Sequence, residues 1–222
     1  MKNRFPYFDE SVFFEFPPVE RAYPNGLLAM GGNLSPGMLI SAYKQGIFPW
    51  YSEGDPILWW SPDPRYVLFP DKLHISKSLK KDLKKNLFNI FFNTRFSEII
   101  KECRKMPRPG QDGTWITNEL EKAYIKLFDL GYIFCAAVTE PDSNELVAGV
   151  YGVKMGKCFF GESMFTKTDN ASKYGFVKFV DYLKQEGVDI IDCQTKTDNL
   201  ERFGAEMIPR SQFIDMIKKG LK

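Results

Sequence analysis

The order of hydrophobic patterns in the second half of the chain constrains its fold more than any other feature. From residue 118 onward these patterns follow the order helix, strand, strand, strand, helix, strand, over 118–131, 132–139, 145–154, 157–163, 170–186 and 188–194. Helical patterns repeat about every 3.6 residues, whereas strands alternate every two residues or form short apolar runs. Helices around such a set of strands predict a mixed sheet, in the α+β or mixed α/β class.

The first 64 residues have a different character, because proline, glycine and aromatic residues are frequent there. One helix is predicted: Ser35 is a suitable N-cap, Pro36 suits the first turn, and Gly46 marks the end. Two or three short strands with tight turns are expected around it. We therefore predict a small N-terminal domain over 1–64 and a larger domain over 65–222.

The larger domain contains further short elements that the same periodicity predicts. In the order strand, helix, strand, helix and a last helix, they are expected over 67–69, 76–86, 87–92, 96–105 and 213–219. Asn118 and Glu121 have the spacing of a capping box, which predicts Asn118 as a helix N-cap. The segment 107–113 is rich in helix breakers and is predicted to be a loop. By analogy, this order of elements suits an acyltransferase fold of the GCN5-related kind.

Length and composition exclude several classes of protein. The chain has 222 residues, enough to bury a core without disulfides or metals. No apolar run approaches the ~20 residues of a membrane helix, and the start lacks the apolar core of a signal peptide. Four cysteines without a CxxC pair predict neither a zinc cluster nor a disulfide framework, and His74 is the single histidine. We expect a cytoplasmic protein with no membrane segment and no metal.

A basic stretch predicts the first functional surface. In a helix, five lysines share one face and three leucines the other: Lys77, Lys80, Lys81, Lys84 and Lys85 against Leu79, Leu83 and Leu87. Like charges within one Debye length repel one another unless an anion compensates, and a phosphate backbone is such an anion. A solvated helix face is the alternative.

The four tryptophans, Trp50, Trp59, Trp60 and Trp115, predict a second feature, since all lie in or near predicted loops. Exposed rings there favour a platform on which a base stacks, a contact worth ~1–3 kcal/mol per base. Packing in the core of the small N-terminal domain is the alternative, and it is expected to account for at least one of Trp59 and Trp60.

Two carboxylates in apolar strand contexts are the candidates for chemistry. Glu162 and Asp192 are costly in such contexts unless they are paired or functional. Alternation along a strand places Asp192 and Gln194 on one face and Cys193 on the other. A nucleophilic Cys193 assisted by Asp192 is therefore disfavoured. Structural carboxylates that accept hydrogen bonds from nearby amides are the alternative.

Several long motifs occur unbroken and in a fixed order from about Asn25 to Arg210. They include NGLLAMGG, GIFPWYSEGDPILWWSPDPR, LHISKSLKK, GTWIT, GESMFTKTDNASK and IDCQ. In these motifs the chain resembles the leucyl/phenylalanyl-tRNA–protein transferases. The resemblance implies a small N-terminal domain followed by a C-terminal acyltransferase-like domain. It also implies transfer of Leu, Phe or sometimes Met from aminoacyl-tRNA to the N-terminal amine of proteins that begin with Arg or Lys, which marks them for degradation.

The resemblance also assigns roles by position. The family's catalytic pair corresponds to Asp192 and Gln194, and its acidic acceptor-binding residue corresponds to Glu162. Its residues around the aminoacyl group and the terminal adenosine correspond to Trp50, Trp115, Val150, Phe159, Phe179 and Ile191. Its tRNA-binding residues correspond to Arg65, His74, Lys77, Lys80, Lys81, Lys84 and Lys85.

Some positions depart from the family's pattern. The run Phe134-Cys135-Ala136-Ala137 stands where His-Ser followed by Glu and Trp is common, and Asn199 stands near a usual His. Val150 occupies a position that often holds Met. The smaller side chain predicts a roomier cavity, and hence use of Phe at least as well as Leu.

The implied chemistry is aminolysis of an ester that is already activated, so no ATP, metal or organic cofactor is expected. The reaction needs correct positioning, a hydrogen-bond donor for the developing oxyanion and an acceptor for the amine proton. It needs no strong base, because an α-amine with a pKa of ~7.7–8.0 is partly neutral at pH 7. We expect Gln194 to orient the amine, Asp192 to hold Gln194, and Glu162 to attract a cationic N-terminus. The expected partners of the monomer are Leu-tRNA or Phe-tRNA and a protein with N-terminal Arg or Lys.

Three alternatives remain open at this point. The acceptor preference could be shifted toward acidic N-termini. A non-catalytic RNA-binding module would explain the lysines but not Asp192, Gln194 and Glu162. A cofactor-dependent small-molecule acetyltransferase would need a glycine-rich phosphate loop before a helix, whereas Met155 and Gly156 lie between predicted strands.

Overall fold

A computed structural model of the chain describes residues 12–106 and 114–221. In chain order, strands β1 to β10 span Leu27–Met30, Phe48–Pro49, Leu58–Trp60, Arg65–Leu68, Asn89–Phe92, Ile133–Thr139, Leu146–Met155, Cys158–Thr166, Ile190–Asp192 and Glu206–Ile208. Helices α1 to α7 span Pro36–Lys44, Lys77–Lys84, Phe96–Lys105, Asn118–Asp129, Ala171–Gln185, Asp198–Arg202 and Arg210–Gly220. The predicted loop at 107–113 lies outside the described residues. No helix in the described ranges has the length and apolar character needed to cross a membrane.

The N-terminal strands form a three-stranded antiparallel sheet in the order β1-β3-β2, and α1 lies between β1 and β2 in the chain. The predicted helix is confirmed: Ser35 Oγ accepts a hydrogen bond from the Met38 N–H at 3.3 Å, and Pro36 occupies the first turn. Gly46 follows with a φ of +74°, and a Cβ there would collide with the Ile214 side chain. Glycine tolerates both conditions, so α1 ends where predicted.

The remaining strands form one seven-stranded sheet in the order β10-β4-β9-β8-β7-β6-β5. Neighbouring strands are antiparallel except β8 and β9, which are parallel and are connected through α5. A parallel pair requires a crossover connection, and this 15-residue helix provides it. The predicted order is confirmed as α4, then β6 to β8, then α5 and β9. The mixed α/β class is confirmed with it.

The two faces of this sheet bury different hydrophobic clusters, because side chains alternate along each strand. One cluster contains residues of α1, α3, α4 and α7 together with Tyr151 and Phe160 of the sheet. The other contains residues of α2 and α5 together with Val150 and Phe159. Adjacent residues of β7 and β8 therefore serve opposite faces, and the site described below draws residues from both clusters.

The start of α4 differs from the prediction by one residue. Thr117, not Asn118, is the N-cap: its Oγ1 accepts a hydrogen bond from the Leu120 N–H at 3.2 Å. Thr117 is buried, whereas Glu121 forms an ion pair with Arg104 at 3.2 Å instead of closing a capping box. The Glu121 carboxylate therefore contacts α3 and not the N-cap, where the local pattern had placed it.

Other differences concern short elements. Leu87 was predicted on the buried face of α2, but it lies beyond the helix and is 42% exposed. The cause is Asn86, whose φ of +49° turns the chain out of the helical path. Helix α6 and strand β10 were not predicted, because each is only a few residues long and β10 is defined by pairing with the distant strand β4.

Candidate active site

A cavity of about 320 Å³ is lined by residues of both sheet faces, and its apolar residues come mainly from the cluster that α5 covers. Six residues that the sequence predicted for the site line it: Val150, Phe159, Ile191, Glu162, Asp192 and Gln194. The first three are apolar and belong to one hydrophobic cluster. The last three are polar and come from β8, from the end of β9 and from the turn after it. An apolar wall therefore meets a polar group in one cavity.

Glu162 is the centre of the polar group, although its side chain is almost completely buried. Its Oε1 accepts hydrogen bonds from the Tyr43 hydroxyl at 2.9 Å and from Gln194 Nε2 at 3.1 Å. Its Oε2 accepts a hydrogen bond from the Tyr124 hydroxyl at 2.8 Å. Burial raises the pKa of Glu162 to about 7, although the bonds from the two tyrosines oppose that rise. The carboxyl group therefore changes charge near neutral pH.

The two tyrosines remain protonated donors in this arrangement. Tyr43 lies in α1 and Tyr124 in α4, and their hydroxyl oxygens are 2.8 Å apart. Burial and the nearby charge of Glu162 raise the pKa of both phenols well above the ordinary value. Helices α1 and α4, which are far apart in the chain, thus each donate one hydrogen bond to the Glu162 carboxylate.

Asp192 is completely buried and forms a bidentate ion pair with Arg65 of β4. Arg65 Nε lies 2.9 Å from Asp192 Oδ1, and Arg65 Nη2 lies 2.7 Å from Oδ2. The guanidinium also lies over the rings of Phe48 and Phe213, at 4.9 and 4.6 Å from their centroids, and Nη1 donates to the Gly46 carbonyl oxygen. The charge of Asp192 is therefore compensated inside the protein.

Gln194 reaches Glu162 because the backbone turns sharply after β9. Its φ is +58°, in the left-handed region, and its N–H donates to Asp192 Oδ1 at 3.0 Å. The predicted alternation between Asp192 and Cys193 is confirmed: Cys193 packs with Ile191 in the cluster under α5, whereas Asp192 pairs with Arg65 beside Phe48 and Phe213 of the other cluster. Cys193 also lines the cavity. Burial raises the pKa of the Cys193 thiol, which disfavours the nucleophilic thiolate.

Two family models and several curated proteins match most of the chain. The model of the family described as "Leucyl/phenylalanyl-tRNA protein transferase" matches residues 67–218, and that of its N-terminal domain matches residues 32–63. A leucyl/phenylalanyl-tRNA–protein transferase of Pseudomonas fluorescens is 52% identical over 208 residues, covering 93% of this chain and 91% of the relative. One of Myxococcus xanthus is 49% identical, covering 93% and 88%.

The chain belongs to the leucyl/phenylalanyl-tRNA–protein transferase family. The family and the aminoacyltransferase class predicted from the sequence are thereby confirmed. A functionally unknown conserved protein from Staphylococcus epidermidis, 11% identical, covers 82% of this chain and 68% of its own with a TM-score of 0.45, a likeness too weak to establish a shared fold.

In this transferase, Arg65 cannot belong to the tRNA-binding surface, and that prediction is corrected. Its side chain is completely buried, and each of its interactions is with the protein interior. A guanidinium without exposed surface cannot contact a phosphate. The sequence pattern placed Arg65 beside the basic stretch, but the fold pairs it with Asp192.

Two aromatic side chains predicted around the terminal adenosine are also buried. Phe179 has no exposed surface and packs behind the cavity wall, with its ring centroid 5.3 Å from that of Phe159. Trp115 belongs to the hydrophobic cluster on the opposite face of the sheet. Neither lines the first cavity, and the contact of each with the donor stays a prediction. Trp50 is partly exposed and packs against Trp60 at 5.7 Å, and its contact with the donor stays a prediction.

The basic surface of this family member is arranged as the sequence indicated. Its five lysines, Lys77, Lys80, Lys81, Lys84 and Lys85, are all exposed, while Leu79 is buried on the other side of α2. Ser76 caps the helix, and His74 is exposed just before it. The structure thus presents the surface, and its contact with tRNA stays a prediction.

Sequence reasoning missed several residues around the site. Tyr43 and Tyr124 were not predicted as site residues, because no local pattern links them to Glu162. Lys173 and Asn199 line the cavity from α5 and α6. For Lys173, the sequence offered one signal, since it ends the motif GESMFTKTDNASK. Across 12–106 and 114–221, no three His, Cys, Asp or Glu side chains are grouped as metal ligands would be.

Proposed function

We propose that this chain transfers Leu or Phe, and less well Met, from aminoacyl-tRNA to the N-terminal α-amine of proteins that begin with Arg or Lys. The product would carry a destabilising N-terminal residue and be marked for degradation by the N-end rule. We further propose that the protein acts as a monomer in the cytoplasm. The observation that carries the proposal is the single cavity in which an apolar wall adjoins Glu162 and Gln194.

The apolar wall supports an uncharged aliphatic or aromatic donor side chain. Val150, Phe159 and Ile191 offer no polar partner, so a charged donor side chain would lose its hydration there without compensation. A Leu or Phe side chain gains ~1.5–3 kcal/mol on complete burial in such surroundings. The donor's ester carbon would then lie toward the polar end of the cavity.

The polar end supports aminolysis of that ester. The acceptor nitrogen forms a bond to the carbonyl carbon, the bond from that carbon to the ribose oxygen breaks, and one proton passes from the nitrogen to the ribose oxygen. Because Gln194 Nε2 donates to Glu162, its amide oxygen is left to accept a hydrogen bond from the amine. Gln194 would thereby orient the nucleophile and ease its proton loss.

Glu162 and Asp192 support this step in different ways. Ionised Glu162 would attract the cationic side chain or ammonium of an Arg or Lys N-terminus. Asp192, whose charge Arg65 compensates, holds the backbone N–H of Gln194 and acts as a positioning residue. An acidic Glu162 in the acceptor region argues against acidic N-termini, since like charges repel there.

The basic surface supports binding of the tRNA body. Exposed lysines on one helix face meet phosphates, which carry no base sequence. Recognition of the donor would therefore depend on the aminoacyl group and the tRNA 3′ end, while the lysines contribute affinity.

One transfer experiment separates this proposal from its alternatives. The protein is incubated with radiolabelled Leu-tRNA and with peptides that differ only in beginning with Arg, Asp or Ala. We expect label on the Arg peptide and little on the other two. Label on the Asp peptide would indicate a shifted acceptor preference. Retention of tRNA on a filter without transfer to any peptide would indicate a binding module, and acetylation of a small amine from acetyl-CoA would indicate an acetyltransferase.

A further inference from the structure

A second cavity of about 290 Å³ adjoins the first. Lys173, Asn199 and Phe203 line both cavities, so the two are adjacent. The second cavity also has lining residues that the first lacks. They include Ser78 at the start of α2 and Arg202 at the end of α6. A ligand seated in the first cavity can thus extend into the second.

The side chains of the second cavity favour an anion. Lys173 and Arg202 supply two cationic heads, and neither forms an ion pair with another residue of the described ranges. His74 and Ser78 add groups that can donate hydrogen bonds. The single carboxylate there, Asp82, is already 3.8 Å from Lys85 Nζ. The balance of charge and donors therefore matches a phosphate group rather than a cation or an apolar group.

The lysine surface of α2 cannot be what fills this role. Ser78, Leu79 and Asp82 line the cavity. At ~100° per residue, Leu79 and Asp82 lie on the side of α2 away from the centre of the lysine face, and Ser78 lies at the edge of that face. Lys77, Lys80 and Lys84 therefore point away from the second cavity, toward another part of a bound nucleic acid. The cavity has its own cations, and its ligand is distinct from whatever the lysines contact.

The order of groups in the donor identifies the anion. In aminoacyl-tRNA, the aminoacyl ester is attached to the terminal adenosine, and the next group along the strand is the phosphodiester that joins this adenosine to the penultimate cytidine. Building on the proposed function, we propose that the second cavity binds this phosphodiester, with Arg202 and Lys173 as its cationic contacts. The aminoacyl group would then occupy the first cavity.

Three donors of increasing length test this assignment. Leucyl-adenosine lacks the phosphodiester, leucyl-cytidylyl-adenosine carries it alone, and Leu-tRNA carries it with all other phosphates. We expect Arg202→Gln to raise KM about three- to tenfold for both donors with the phosphodiester, the scale of one solvent-exposed hydrogen bond, and to leave leucyl-adenosine unaffected. For Leu-tRNA, the slope of log affinity against log salt should fall in magnitude by about 0.7.

Controls make each result decisive. Arg202→Lys should keep most of the affinity for the dinucleotide donor, and Lys218→Gln, which removes an exposed charge from α7, should match the wild type with all three donors. An equal rise in KM for leucyl-adenosine would place Arg202 at the aminoacyl group and overturn the assignment. A rise confined to Leu-tRNA would place it at another phosphate and also overturn it. If the wild type transfers leucine from none of the donors, the proposed function itself fails.

Discussion

Arg65 and Asp192, 127 residues apart in the chain, form a bidentate ion pair with no exposed surface on either side chain. The pair joins β4 to the end of β9, and Asp192 Oδ1 also accepts the hydrogen bond that positions the Gln194 backbone. Phe48 and Phe213 enclose the guanidinium from two different parts of the fold. The position of Gln194 in the cavity therefore depends on the integrity of this pair.

Loss of one partner should destabilise the protein strongly. Arg65→Gln leaves the Asp192 carboxylate buried without a countercharge, which costs about 3–5 kcal/mol of unfolding free energy, measured by urea denaturation. The double variant Arg65→Gln/Asp192→Asn should recover part of that loss. Arg95→Gln is the matched control, because it breaks an Arg–Glu98 pair that is partly exposed and should cost less than about 1 kcal/mol. Equal losses in the two single variants would contradict the assigned role of the buried pair.

Gln194 should matter for turnover rather than for folding. We expect Gln194→Ala to lower kcat by ~10²-fold or more in transfer from Leu-tRNA to an Arg peptide, with little change in thermal unfolding. Asp192→Asn, which keeps the shape of the side chain better than Asp192→Ala, should lower kcat through misplacement of Gln194. Cys193→Ser should stay within several-fold of the wild type. A folded but inactive Cys193→Ser variant, or a trapped aminoacyl thioester, would show that the thiol is the nucleophile.

Glu162 should give the reaction a pH dependence near neutrality. Because burial raises its pKa to about 7, the carboxyl group is protonated below that pH and loses the charge that attracts a cationic N-terminus. For Arg peptides, kcat/KM should therefore fall as the pH decreases through about 7. The free α-amine also loses reactivity at low pH, with a pKa of ~7.7–8.0, so the wild-type profile should show two ionisations.

Two variants separate these ionisations. Glu162→Gln should lose the ionisation near 7 and keep the one that belongs to the amine. Tyr124→Phe removes a hydrogen bond that holds the Glu162 pKa down, so its lower limb should move to higher pH. An unchanged profile in Glu162→Gln would show that the carboxyl group does not control acceptor binding.

The volume beside Val150 should set the choice between donors. Val150 lies in β7 opposite Met164 of β8, and both line the first cavity. We expect the wild type to use Phe at least as well as Leu, and Val150→Met to shift the ratio of kcat/KM toward Leu because the larger side chain reduces the cavity. Competition between Phe-tRNA and Leu-tRNA measures this ratio directly. A strong preference for Leu in the wild type would contradict the prediction.

The lysines of α2 should control tRNA affinity without affecting chemistry. Replacing Lys80, Lys81 and Lys84 by Ala should reduce the slope of log affinity against log salt by about two units and raise KM for Leu-tRNA. The rate with leucyl-adenosine, which has no acceptor stem, should barely change. Equal losses with both donors would show that this face is structural. Leu79 is buried, so its replacement should damage folding instead.

Much of the architecture follows from local patterns in the sequence. Helix α3 spans the predicted residues 96–105, and the order from α4 to β9 was predicted from hydrophobic periodicity. The lysine face of α2 was also predicted, because spacing of 3.6 residues sorts charges from leucines. In each case the residues that decide the structure are neighbours along the chain.

The chemistry of the site was decided by the tertiary structure. Arg65 was assigned to the tRNA surface by its neighbours in sequence, but it is buried against Asp192. Glu162 receives its donors from Tyr43 and Tyr124, and the hydrogen bond to Tyr43 spans 119 residues. No periodicity encodes such pairings, because burial and charge compensation depend on which strands and helices meet. The sequence by itself therefore determined which residues could react, and only packing determined which of them lie together and what charge each carries.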